Sequence, residues 1–128
     1  MRQAIEGSLK RLRLERIDVY QLHAPDPVTP FEASVETLAD LQRQGKIRFV
    51  GLSNVTQEHI ERARKIVPIV SVQNRYSFAD REWDYVVDYC ERNSIAFIPC
   101  SHWEPANWPA RFSTAWRKRN KDRPTKSR

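Results

Sequence analysis

Long apolar runs are missing from this 128-residue chain, and cysteine is scarce. Charged residues make up 30% of the sequence and the mean hydropathy is -0.70, which excludes a membrane-spanning helix. The first residues, MRQAIEGSLKRL, lack the apolar core of a signal peptide and read directly as an amphipathic helix. The two cysteines, Cys90 and Cys100, show no metal-ligand spacing. No metal site is therefore expected, and so few thiols suit a reducing compartment. The expectation is a soluble, cytoplasmic protein without membrane contact, long enough for one domain with a real core.

The net charge of +6 is unevenly placed. Residues 101–128 carry eight Lys/Arg against only Glu104 and Asp122, and so hold the entire excess. Residues 1–100 balance fourteen basic against fourteen acidic side chains. Three of the four tryptophans, Trp103, Trp108 and Trp116, also fall in the tail, where Pro105, Pro109 and Pro124 break any period. The composition thus divides the chain into a first unit, residues 1–100, and a basic, Trp-rich tail, residues 101–128, expected to be disordered. Interleaved aromatics and basic residues would suit a nucleic-acid-binding arm. An unselected extension, such as out-of-frame coding after a truncating event, explains the same abrupt change and is the preferred reading.

Within residues 1–100, helical and strand patterns alternate. Ile5, Leu9 and Leu12 form an apolar stripe on a helix over residues 2–12, and a strand runs from Ile17 to His23. Pro30 opens a second helix to Gln44 with Phe31, Val35, Leu38 and Leu41 on its buried face, closed by Gly45 as a left-handed cap. After strand 47–54, Thr56 caps a helix from Gln57 to Ile66 whose inner side carries Ile60 and Ala63, with Val67 following. Pro68 ends that helix, and a strand begins at Ile69. Asp80 is the expected cap of a fourth helix bearing Trp83, Val86, Val87 and Cys90, and a last apolar run starts at Ile95.

Strand starts at Ile17, Ile47, Ile69 and Ile95 lie about one βαβ unit apart. The prediction is an α/β fold with four parallel strands near 17–23, 47–53, 69–74 and 96–99, adjacent in that order and flanked by helices. Runs such as IVSV and AFIP fit strands buried on both faces. An open doubly wound sheet and an arc of a barrel both satisfy this pattern.

Each strand ends in polar groups: His23, then Ser53-Asn54, then Gln73-Asn74, then Cys100. In a parallel sheet they converge on one rim, where α/β folds place ligands. Taken singly, a histidine closing a strand and a Ser-Asn turn pair are ordinary structural features.

Together, SLKRLRLERIDVYQLHAPDP, GKIRFVGLSN, PIVSVQNRYS and DYCERNSIAFIP resemble the aldo-keto reductases, (β/α)8 barrels that use NAD(P)H. The resemblance runs without a gap over residues 2–99. It implies a partial TIM barrel, from about the third helix to the seventh strand of a fold that takes roughly 250 residues. The implied family activity is reduction of aldehydes or ketones. By the same resemblance His23 corresponds to the catalytic histidine, which orients the substrate carbonyl and hydrogen-bonds the oxygen as charge develops. Ser53, Asn54 and Gln73 correspond to residues that hold the nicotinamide carboxamide, a group that needs both donors and acceptors.

The chain also departs from the family pattern. The family's proton-donating tyrosine, with its assisting lysine and aspartate, lies upstream of residue 1, and none of Tyr20, Tyr76, Tyr85 or Tyr89 sits in the donor's motif. Cys100 stands where an aromatic residue stacks on the nicotinamide. Arg13 stands near a position often held by Gly, where a left-handed cap would cost an Arg about 1 kcal/mol. Beyond Ser101 the segment that grips the adenosine phosphate is gone. Asn74, Arg75 and Tyr76 read as packing and rim structure, and Asp18 and Asp26 as solvated carboxylates.

The chain alone is therefore expected to bind NADP(H) or NAD(H) weakly or not at all. It should accept a small carbonyl substrate only if the missing part is supplied. A non-enzymatic half-barrel binding module is the alternative, with nucleic-acid contact through the tail a less favoured one. Open edges on strands 17–23 and 95–100, with an exposed inner face, favour self-association or a complementary barrel half.

Overall fold

Helix and strand alternate through residues 1–100, the part of the chain described by the computed structural model. The order is α1 (Arg2–Leu12), β1 (Ile17–Leu22), α2 (Phe31–Arg43), β2 (Ile47–Ser53), α3 (Gln57–Arg64), β3 (Ile69–Arg75), α4 (Asp84–Arg92) and β4 (Ala96–Cys100). The four strands form one parallel sheet in the order β1-β2-β3-β4. The predicted strands and their adjacency are therefore present. The expected disorder of 101–128 lies outside the described residues.

The core fills the space between the helices and one face of the sheet. Val50 and Leu52 on β2 and Val72 on β3 are fully buried there against Ile5, Val35, Leu38, Leu41, Ile60 and Val86 from the four helices. The opposite face is different. Burial of the strands on both faces holds only in part: β2 and β3 are largely buried, whereas β1 and β4 are mostly exposed or half-buried. The reason is geometric: β2 and β3 are flanked by strands on both sides, whereas β1 and β4 are the edges of the described sheet.

The sheet is curved enough for side chains of alternate strands to meet over the strand between them. Gln21 on β1 donates Nε2–H to Ser71 Oγ on β3 at 3.2 Å, passing over Gly51 on β2. A Cβ on Gly51 would lie 2.5 Å from Ser71 Oγ and 2.7 Å from Gln21 Cγ. Glycine in this strand is thus required by a close approach, and such a crossing layer is the packing of a barrel interior rather than of a flat open sheet.

Helix ends follow local chemistry. Thr56 caps α3 by accepting from the His59 N–H, and His59 Nδ1 accepts from the Thr56 N–H in return, so histidine takes the place of the usual Glu/Gln. Three helices end in the same reciprocal hydrogen-bond motif with a left-handed residue: Gly45 (φ 74) after α2, as expected, Arg13 (φ 55) after α1, and Ser94 (φ 55) after α4.

Two expectations fail. Asp80 does not cap α4, which begins at Asp84. Ser77 and Asp80 exchange backbone hydrogen bonds in a tight turn, and the Asp80 carboxylate is held by Arg75 Nε at 2.7 Å. Leu12 does not join the buried stripe of α1 and is exposed, because the left-handed turn at Arg13 ends the helix at its own position.

Candidate functional site

All four strands point their C-terminal ends toward one rim, and the predicted residues meet there. Ser53 pairs in register with Gln73, and Leu22 pairs with Leu52, so His23 follows on the same row. His23 and Asn54 are exposed, Gln73 is half-buried, and Ser53 is buried.

Hydrogen bonds stitch the rim together. Asn54 adopts the left-handed conformation at φ 55, which asparagine tolerates better than most residues. Its Nδ2 donates to the His23 carbonyl at 2.8 Å and to Ser53 Oγ at 3.2 Å, tying β2 to the end of β1. Its backbone N–H donates to the Gln73 carbonyl at 3.0 Å, and Ser53 Oγ–H donates to the same carbonyl at 2.8 Å. One residue on, the buried Asn74 clamps the loop by donating Nδ2–H to the Val55 carbonyl at 2.7 Å and accepting from the Val55 N–H at 3.0 Å. The expected rim-structural role of Asn74 is thus visible as a two-point clamp.

What remains available decides what the rim can bind. Ser53 Oγ donates one bond and accepts one, which leaves one lone pair, and Asn54 keeps its Oδ1 acceptor. The Gln73 side-chain amide and the His23 imidazole make no hydrogen bond to any described residue. An amide donor and acceptors within one row match a carboxamide, so these residues fit the nicotinamide end of the implied cofactor. On β4 the register partner of Gln73 is Ile98; Cys100, at the end of the strand, pairs with Arg75, and its thiol offers no flat surface to a ring.

Other polar clusters beside the rim are structural. Tyr76 donates its hydroxyl to Asp84 Oδ1 at 2.6 Å, and Arg81 Nε donates to the same oxygen at 2.9 Å while its guanidinium lies 5.0 Å from the Tyr76 ring centre. The hydrogen bond to Asp84 raises the Tyr76 phenol and, with Arg81 adding to it, lowers the Asp84 carboxyl. The ring packs edge-on against Phe97 at 5.5 Å. Asp26 accepts the Val28 and Thr29 N–H groups, which hold its carboxyl below the usual range. Burial pushes the Cys90 thiol up to about 11.

Sequence reasoning passed over the Gln21–Gly51–Ser71 layer beneath the rim. A glycine inside an otherwise apolar strand was the available signal. Among the described residues, no group of three or more His, Cys, Asp or Glu is placed to hold a metal ion, and no helix is long and apolar enough to cross a membrane.

Comparison with known proteins gives a consistent answer. The profile described as the aldo/keto reductase family matches residues 1–105. An uncharacterized oxidoreductase of Schizosaccharomyces pombe is 41% identical over 105 residues, covering 82% of this chain and 33% of its own length. Among solved structures, a glycerol dehydrogenase from Gluconobacter oxydans superposes with a TM-score of 0.73 at 33% identity, over 77% of this chain and 30% of that one. An aldo-keto reductase from Klebsiella pneumoniae in complex with NADPH gives 0.69 at 28% identity, over 82% and 37%. The chain thus spans about a third of the length of the relatives it matches. Matched along most of its length by the family profile, and built as a curved arc of parallel strands with polar groups on one rim, this chain belongs to the aldo/keto reductase family.

Proposed function

We propose that this chain carries one part of a carbonyl-reducing site, the part that orients the substrate oxygen and holds the nicotinamide carboxamide. We further propose that the 128-residue chain on its own does not turn over substrate. The reading rests on one observation above all, the convergence of His23, Ser53, Asn54 and Gln73 on a single rim. NADP(H) or NAD(H), when bound, supplies a hydride to the carbonyl carbon of an aldehyde or ketone. The His23 imidazole, exposed at the strand end, would donate a hydrogen bond to the carbonyl oxygen as negative charge builds there. Gln73, the free lone pair of Ser53 and Asn54 Oδ1 would bracket the carboxamide.

A proton must still reach the resulting alkoxide, and a general acid acts only within hydrogen-bond reach. The four tyrosines are committed elsewhere. Tyr20 packs on the helix-side core, and Tyr76 is bonded to Asp84. Tyr85 is exposed on α4, and the buried Tyr89 bonds Arg64. Weak cofactor binding is expected, since Cys100 stands where the family resemblance puts a ring-stacking aromatic and a thiol offers no flat face.

The test is to purify the 128-residue chain, titrate NADPH by fluorescence and assay a panel of aldehydes. Weak binding without turnover is expected. Tight binding with turnover that is lost in His23→Ala would overturn the proposal.

A further inference from the structure

Neither β1 nor β4 has a second partner strand among the described residues. On the inner face, Val19, Phe49 and Ile98 remain 46%, 36% and 39% exposed. Barrels of eight parallel strands fill their interior with layers of four side chains drawn from alternate strands. The Gln21–Ser71 contact over Gly51 supplies two members of such a layer and leaves two places open.

We propose that two copies of this chain close on each other about a twofold axis, β4 of each pairing in parallel with β1 of the other, to complete an eight-stranded barrel. Strand number alone allows this, and the register makes it specific. Gln21, Gly51, Ser71 and Ala96 are successive register partners across the sheet. An eight-stranded barrel of this kind accumulates a shear of about eight residues per circuit, so each half contributes roughly four. Ala96 then faces a residue four before or four after Gln21 of the second copy. Four after is Pro25, beyond the end of β1, whereas four before is Ile17, its first residue.

Only that second sense lays strand on strand. It sets Ala96 against Ile17, Ile98 against Val19, and Cys100 against Gln21. The even offset keeps inward-facing side chains inward, and it joins two apolar residues that each copy leaves exposed. Exposed Leu12 and Leu14, directly before the β1 edge, add apolar surface at the same seam. Strands of six and five residues give about five backbone hydrogen bonds per seam and about ten over both, the usual complement of a stable interface. Each copy brings the same His23, Ser53 and Gln73 and no new proton donor. Association and turnover are therefore independent outcomes.

The test uses the whole chain. Sedimentation at micromolar concentration should give twice 15.1 kDa. Gln21→Cys should then form intermolecular disulfides with native Cys100 under mild oxidation and run as a covalent dimer without reductant. Within one copy these positions lie three strand spacings apart, roughly 14 Å, which no disulfide spans. Buried Cys90 cannot compete. Asp18→Cys, on the same edge but facing outward, should stay largely monomeric on the gel. Val19→Cys/Ile98→Cys repeats the test should Gln21→Cys fold poorly. A monomer in sedimentation overturns the proposal, whether its β4 edge is covered by residues 101–128 or by solvent. So does a dimer in which Asp18→Cys cross-links as well as Gln21→Cys, or an open-ended series of larger species.

Discussion

Replacing Arg13 and Ser94 by glycine should stabilise this protein, and the helix ends say by how much. At the end of α1, the Arg13 N–H donates to the Lys10 carbonyl at 3.3 Å and the Leu14 N–H to the Leu9 carbonyl at 3.1 Å. At the end of α4, Ser94 and Ile95 donate in the same way to Glu91 and Cys90 at 3.2 and 2.9 Å. Gly45 and Lys46 repeat the pattern after α2 at 2.9 and 3.0 Å. These bonds are backbone only, so a change of side chain leaves them in place. A residue with a Cβ held at φ 55 costs about 1–2 kcal/mol relative to glycine. Glycine's larger unfolded-state entropy offsets about 0.5–1 kcal/mol of that.

The net gain should be about 0.5–1 kcal/mol for each site, additive because the two caps share no partner. For a domain of this size that is roughly 4–8 °C in Tm per kcal/mol. Two controls isolate the cause. Arg13→Ala and Ser94→Ala keep the Cβ and should bring no gain. Gly45→Ala should cost about 1 kcal/mol, although a Cβ there would meet nothing within 4 Å, since its penalty is purely conformational. Urea unfolding followed by far-UV circular dichroism reads all five variants. A neutral Gly45→Ala, or alanine variants that stabilise as much as the glycine ones, would refute the reasoning.

Asn54→Ala should cost about 2–3 kcal/mol, from the left-handed strain and the lost bonds to His23 and Ser53. Asn54→Gly should cost less because it relieves the strain, and the difference in urea midpoint checks the order. The Tyr76–Asp84 contact should sense pH at both extremes, read by tyrosine ultraviolet absorbance and by NMR of the 75–84 loop. Asp84 has its folded pKa lowered, so its contribution is whole above the ordinary aspartate range and is lost as pH falls through the lowered value. Tyr76 has its folded pKa raised, so its contribution is whole below the ordinary phenol range and is lost as pH rises through the raised value. Asp84→Ala should bring the phenol ionisation back down, and an unmoved absorbance curve would show that the contact is not formed in solution.

Helix and strand existence was legible because it rests on local period. Phe31, Val35, Leu38 and Leu41 fall on one face of α2 whatever surrounds them, and all four are buried. The parallel order followed from the spacing of the strands, since no two-residue turn can link parallel neighbours. Illegible features depended on what lies across the chain. The start of α4 moved from Asp80 to Asp84 because Arg75, five residues upstream, captures the Asp80 carboxylate. Burial of β1 and β4 was overestimated because an apolar run records what a strand would bury in a complete fold. Nothing in AFIPC states which neighbours are present.

The rim separates two kinds of evidence that the sequence motif had merged. Ser53 and Asn54 hold the ends of β1, β2 and β3 together through bonds to the His23 and Gln73 carbonyls. A chain with no chemistry at all would still need them to keep this geometry. Their presence therefore speaks for the fold at least as strongly as for a cofactor. Among the described residues the side chains of His23 and Gln73 carry no such duty, because only their backbone carbonyls take part in the stitching. A structural requirement would accept almost any residue at either position, whereas a carbonyl oxygen and a carboxamide would not. These two side chains are thus where the proposed reductase reading is most open to test, on a rim whose remaining bonds hold the strand ends together.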